Sequence, residues 1–483
     1  MWHATHHEHT GIGGRAMRRQ HGTGHTGANR ERQGARRTRA CTWAALLATG
    51  ALALTACGGG GDKEDPPAAG ASASPRVSLP QLTGEKLEVA AVWTGPEQAN
   101  FTKVLKEFEK RTGASVTFVP AQDPIVTFLG TKIAGGQPPD VALLPQVGAL
   151  VSAVQNKWAQ PVGPEARAEL EKNYSQGWKA LGAVDGTQYG VYYKAANKSL
   201  VWYNAKAFEA AGVQPPKTWK DLVAAADTLS ASGTPAVSVA GADGWTLTDW
   251  FENVYLSQAG PEKYDKLAKH EIKWTDDSVK QALTTLGELF GRKDYLAGGQ
   301  SGALATEFPK SVTQTFTGGD RPAAAMVFEG DFVAVNIAQT EAKVGKDALV
   351  FPFPAVGSGK APVVSGGDVA VALKASKGAQ ALLTFLASAD AAEIQAREGG
   401  FISPNKSVDP AAYPNDIQRG IAKALIAAGD DFRFDMSDQA PAAFGGTPGA
   451  GEWKDLQDFL ANPSDVAGAQ AKLEADAAKA FGN

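Results

Sequence analysis

Between residues 86 and 144 the apolar positions switch repeatedly between the period of a strand and that of a helix. Residues 86–93 read KLEVAAVW, an apolar run interrupted only by Glu88, which predicts a buried strand. Residues 98–111 place Phe101, Val104, Leu105 and Phe108 at i, i+3, i+4 and i+7, one face of a helix, and Gly113 follows as its stop. Residues 114–119 predict a second strand, 124–134 a second helix, and 140–144 a third strand closed by Pro145. Strands alternating with helices over so short a span imply parallel pairing through right-handed crossovers, hence an open α/β sheet. Further strands are predicted at 189–194, 199–203, 323–328 and 368–373, and helices at 219–231, 278–290, 378–387, 414–428, 451–460 and 465–481. A body of this length exceeds the roughly 250–300 residues at which a single core stops growing, which predicts two lobes.

The chain before residue 86 has no such periodicity. Residues 15–39 are Arg-rich, and 40–53 form an uncharged apolar run too short to span a bilayer comfortably. A basic segment, a short apolar segment and a small-residue junction make a secretory signal. Leu54, Thr55, Ala56 and Cys57 close it and resemble a bacterial lipobox, in which Cys57 would become the lipidated first residue of the mature protein. The Gly-, Pro- and Ala-rich stretch that follows predicts a flexible tether. The expected organisation is therefore a signal peptide over 1–56, a lipidated N-terminus and linker over 57–85, and a globular body held at the outer face of a membrane. Met17 is an alternative start to Met1.

Charge divides at the same seam. The formal net charge of −4 sums an N-terminal segment with eight Arg and two Glu before residue 57 and a body of 39 basic and 49 acidic side chains. An acidic body argues against nucleic acid, which is bound by neutralising phosphates. Six of the seven His lie before residue 26, and the two Cys are Cys41 and Cys57. Without residues 1–56, one His and one Cys remain, too few for a Cys/His zinc site or an internal disulfide. A hydrolase that depends on His would have to use His270. No metal or cofactor is expected.

Several segments, in their order along the chain, resemble the extracellular solute-binding proteins of ABC importers, in the carbohydrate-binding group related to maltose-binding protein. They are residues 101–113, the IAGGQPPDV stretch at 133–141, LVWYN at 200–204, PKTWKDL at 216–222 and AMVFEGDF at 325–332. Residues 399–405 and 432–438 look closest to members that take α-glucosides. The resemblance implies a type II periplasmic-binding-protein-like α/β fold of two lobes with a ligand cleft between them, closed by hinge bending. By analogy, 86–198 and 362–400 form the first lobe, and 199–361 and 401–483 the second. It also implies a monomer with a carbohydrate ligand and permease subunits as partners. A glycoside hydrolase, or a binding protein for a non-sugar solute, is the alternative reading.

A sugar presents an apolar C–H face and a rim of hydroxyls, so its site needs aromatic platforms and planar polar groups. Trp93 ends the first strand beside Glu97, where it is either a platform or a core residue. Asp123 and Gln146 occupy the loops after the second and third strands, and Asp123 could equally cap the helix that Pro124 opens. Residues 243–250, DGWTLTDW, offer Trp245, Asp249 and Trp250, of which one Trp should be core, since both cannot face one side of a helix. Glu329, Asp331 and Phe332 follow a buried strand; relative to maltose-binding protein, Phe332 stands for a stacking Trp and Leu144 for an aromatic, which implies a different sugar set. Asp368 adjoins Gly366 and Gly367, whose lack of side chains permits close approach. Arg433 and Asp435 could bind hydroxyls or form an internal ion pair.

Overall fold

A computed structural model describes residues 76–121, 124–428 and 432–482. Cys57, the signal segment and Asp123 lie outside the described residues. Among the described residues the apolar runs of the sequence become two main sheets, of six and four strands, beside a two-stranded ribbon of Ala183–Val184 and Thr187–Gln188. In the larger, Lys86–Ala91 pairs in parallel with Ser115–Pro120 on one side and Val141–Leu144 on the other, as the strand–helix alternation predicts. Val364–Ala372 then joins antiparallel to Val141–Leu144 and to Gly190–Asn197, so the sheet is mixed. The smaller sheet orders its strands as Ala348–Pro352, Leu200–Asn204, Met326–Glu329 and Val237–Ser238.

Helices cover the faces where their apolar stripes demand. Gly95–Thr112 buries Phe101, Val104, Leu105 and Phe108, and it stops where Gly113 takes φ 76°, a left-handed conformation that costs glycine least. Trp219–Ala231 begins at a capping box in which Thr218 and Asp221 satisfy each other's backbone N–H. Short elements escaped the sequence reading: Val237–Ser238 and Arg433–Phe434 have two residues each, too few to show a period.

The chain passes between the sheets three times. Only Lys198 and Ser199 separate Gly190–Asn197 of the larger sheet from Leu200–Asn204 of the smaller. A return runs from Ala348–Pro352 to Val364–Ala372, and a third passage follows Arg433–Phe434, which pairs with Val364 and Ser365. One segment departs from the expected division. The resemblance places 401–483 in the second lobe, yet the Phe401 ring lies 5.2 Å from that of Tyr193 in the larger sheet, and Ala195 donates its N–H to the Ile402 carbonyl at 2.8 Å. The apolar faces of these residues find their partners on the first sheet, so the chain leaves that core near Phe434 rather than near residue 400.

Between the two sheets, backbones approach closely. A Cβ on Gly148 would lie 2.2 Å from the Ala440 carbonyl oxygen, so the helix Val147–Gln155 can seat there only because that position has no side chain. Among the described residues no helix is long and apolar enough to cross a membrane, and no group of His, Cys, Asp and Glu is arranged to hold a metal ion.

Candidate ligand-binding cleft

Parallel strands place their carboxyl ends on one edge, where ligands of open α/β sheets bind. Trp93 and Gln146 stand just past the ends of Lys86–Ala91 and Val141–Leu144, and both line a cleft of about 230 Å³. Lys194, Ala196 and Lys198 reach the same space from alternate positions at the end of Gly190–Asn197, as the two-residue period of a strand requires. Gly367 and Asp368 come from the neighbouring strand. The pairing register shifts between Asp368 and Val369, and such a bulge re-aims the adjoining side chain. At Gly367 a Cβ would meet the Lys194 carbonyl oxygen at 2.5 Å, so the close pairing of these strands depends on glycine.

Aromatic rings form the opposite wall. Trp245 is the first residue of the helix Trp245–Ala259, directly after Gly244, whose φ of 82° is again left-handed. Its ring lies 5.4 Å from Phe308 and 6.1 Å from Phe332, and Phe308 and Phe332 are 5.4 Å apart. Trp453 completes the wall; a Cβ on Gly244 would come within 2.8 Å of the Trp453 Cβ, so the two segments touch.

Two lysines organise the charge. The Lys194 ammonium pairs with Glu97, lies 3.7 Å from Asp368, and sits over the rings of Trp93 and Phe332 at 5.4 and 5.5 Å. Lys198 is 2.5 Å from Asp435, 3.3 Å from Asp249 and 3.5 Å from Asp438, with its ammonium 5.6 Å from the centre of the Trp245 ring. Lys198 and Asp435 lie on two of the three passages between sheets, so this ion pair ties the crossings together.

Burial outweighs the available cations for most of these acids. Desolvation pushes Glu329 up to about 8 and Asp331 to about 7, and Asp368 to about 6 against the pull of Lys194. Desolvation also raises Asp249 and Asp438 well above the usual carboxylate range, with Lys198 opposing. Asp435 goes the other way. Although burial alone would raise it, the Lys198 ammonium holds it below the usual range. It also accepts hydrogen bonds from the Asp438 N–H at 2.9 Å and the Ser437 hydroxyl at 2.7 Å.

The structure thus brings Trp93, Glu97, Gln146, Trp245, Phe332 and Asp368 to the cleft. Asp249 and Asp435 lie behind it, in contact with Lys198. Glu329 is buried and has no hydrogen-bond partner for either carboxyl oxygen. Asp331 accepts the Asn197 N–H at 2.7 Å, beside the first passage between the sheets. Two candidates are corrected. Trp250 is core, packed on Phe328 at 4.5 Å and on Phe290 and Phe353 at 5.8 Å, because it falls on the face of its helix turned from Trp245. Arg433 pairs with Asp265 at 2.7 Å, which takes up its guanidinium away from the cleft. Sequence reasoning missed Lys194, Lys198, Asp438, Phe308 and Trp453. A lysine at the end of an otherwise apolar strand was the one available signal, since a buried lysine needs a charged partner.

Residues 93–393, which begin at Trp93 and include two of the passages between the sheets and most of the cleft, match the family of bacterial extracellular solute-binding proteins. The chain belongs to that family. Among relatives, an osmoprotective compounds-binding protein, GgtB, of Synechocystis sp. is 33% identical over 387 residues, covering 78% of this chain and 89% of its own. An alpha-glucosides-binding periplasmic protein, AglE, of Rhizobium meliloti is 32% identical over 401 residues, covering 80% and 85%. Solved structures of the solute receptor AcbH and of maltose-bound MalE3 of T. maritima superpose with TM-scores of 0.69 and 0.66 at 21% and 16% identity. They cover 82% and 81% of this chain and 99% of each structure, so this solute-binding protein has the two-lobed fold of that group.

Proposed function

We propose that this protein captures an uncharged carbohydrate outside the cell and delivers it to the permease of an ABC importer. The observation that carries this reading is the aromatic wall of Trp245, Phe308, Phe332 and Trp453, which faces polar groups that donate and accept across the cleft. Aromatic faces suit the C–H face of a pyranose, while Lys194, Lys198, Gln146 and Asp438 suit its hydroxyls. The α-glucoside relative makes α-glucosides the first compounds to test. Calorimetric titration of the purified protein with mono- and disaccharides checks the reading; heat from a non-sugar solute alone would defeat it. Replacing Trp245 by Ala removes one platform and is expected to weaken sugar binding by about 2 kcal/mol, roughly 30-fold, in the same titration.

Binding without turnover fits the charge arrangement. A glycoside hydrolase sets one acid and one free carboxylate on either side of the scissile bond. Here Glu97 and Asp368 are committed to Lys194, and Asp438 to Lys198. Glu97, Asp331 and Asp435 complete the polar setting of the two lysines rather than an acid/base pair.

The body is held at the membrane through a lipid on Cys57, a reading supported by the tetrad ending at Cys57 and the glycine-rich stretch after it. Replacing Cys57 by Ser is expected to move the protein from the membrane fraction to the medium or periplasm, read by immunoblot; unchanged membrane association would count against it.

A further inference from the structure

The surroundings of Lys194 are those of an organic cation. Its ammonium lies between two aromatic rings from opposite walls, 5.4 Å from the centre of Trp93 and 5.5 Å from that of Phe332. Glu97 pairs with it directly and Asp368 is 3.7 Å away. Aromatic faces combined with carboxylates are the recognition chemistry for alkylammonium and quaternary ammonium groups. The side chain is only 8% exposed, so it fills this cage rather than hanging beside it. Burial alone would strip its proton, but Glu97 and Asp368 outweigh burial and raise its pKa, so the occupant is always charged.

We propose that Lys194 is a specificity-determining residue, a tethered cation that occupies an alkylammonium cage made by Trp93, Phe332, Glu97 and Asp368 and so restricts the cleft to uncharged solutes. A free ammonium entering the cleft would meet a like charge already neutralising the two carboxylates. A sugar hydroxyl meets a donor instead. The proposal rests on the carbohydrate reading only in naming which solutes remain admissible; the cage itself follows from the geometry.

The test replaces the tether by a free ligand. Lys194→Ala removes three carbons and the ammonium nitrogen, a space that n-propylammonium matches in length and charge. The full-length protein and the variant are titrated with n-propylammonium and tetramethylammonium chlorides, with sodium chloride at the same ionic strength as control, by calorimetry and thermal shift. The expected result is no response of the parent beyond the salt control and saturable millimolar binding by the variant, at least tenfold tighter than in the parent, with a rise in melting temperature. Equal responses of the two proteins overturn the proposal. So does a variant that is merely less stable and gains no affinity for either cation.

Should Lys194→Ala not accumulate as folded protein, Lys194→Ala combined with Glu97→Gln removes the surplus charge while keeping Asp368 and both rings, and the same gain is expected. A parent that binds a sugar, with no cation gain in either variant, refutes the tether and leaves the carbohydrate reading standing. A cation gain with no sugar bound by the parent supports the tether and refutes that reading.

Discussion

Replacing Lys198 by Met is expected to destabilise the protein by about 3–5 kcal/mol, the loss that follows when one partner of a buried ion pair is removed. The reason lies in what remains. Asp435 is fully buried and held ionised by the Lys198 ammonium at 2.5 Å, while Asp249 and Asp438 stand within 3.5 Å of the same ammonium. Without Lys198 the cluster must either bury an uncompensated charge or take up a proton on Asp435. Urea denaturation checks this: the midpoint should fall with little change in slope. The loss should shrink in acid, where protonating Asp435 costs less. Adding Asp435→Asn should recover part of it, because the stranded charge is gone. A loss below about 1 kcal/mol would mean that water reaches the cluster and that Lys198 behaves as a surface ion pair.

Stability is expected to decline as pH rises from about 5 to 8. Glu329, pushed up to about 8, keeps its proton in the folded protein while the unfolded chain loses it near 4.5. Across that interval the folded state binds more protons, and stability falls with pH wherever that holds. The contribution is fully present below the unfolded value and is lost as pH passes the folded one. A displacement from 4.5 to about 8 corresponds to roughly 5 kcal/mol for one group. Asp331 and Asp455, each at about 7, add in the same direction over a narrower window. Asp435 opposes them only in acid, since its lowered pKa means its stabilisation is lost well below pH 4. Glu329→Gln should flatten the profile between pH 5 and 8, because the amide cannot ionise. A profile that rises over this range, or one unchanged by Glu329→Gln, would contradict the assignment.

The helix and strand positions of the larger sheet were legible where the apolar period ran long enough. Phe101, Val104, Leu105 and Phe108 announced a helix face that the structure buries, and Gly113 ended it in the predicted place. Half of the cleft was legible for the same reason, since Trp93 and Gln146 follow strands whose carboxyl ends the alternation had already placed on one edge. Trp250 and Arg433 could not be resolved. The competing partners Phe328 and Asp265 lie far away in sequence, and only packing brings them close.

The sequence by itself determined the α/β class, the parallel start of the larger sheet and the charge division at the N-terminus. All of these depend on local spacing and composition, which the chain carries along its length. The tertiary structure alone decided which acids share Lys198, that Lys194 sits between rings from two walls, and that residues 401–425 pack with the first core. Those outcomes depend on contacts between residues tens to hundreds of positions apart. Burial also sets which carboxyl stays neutral, and no one-dimensional pattern encodes how much water is left around a side chain.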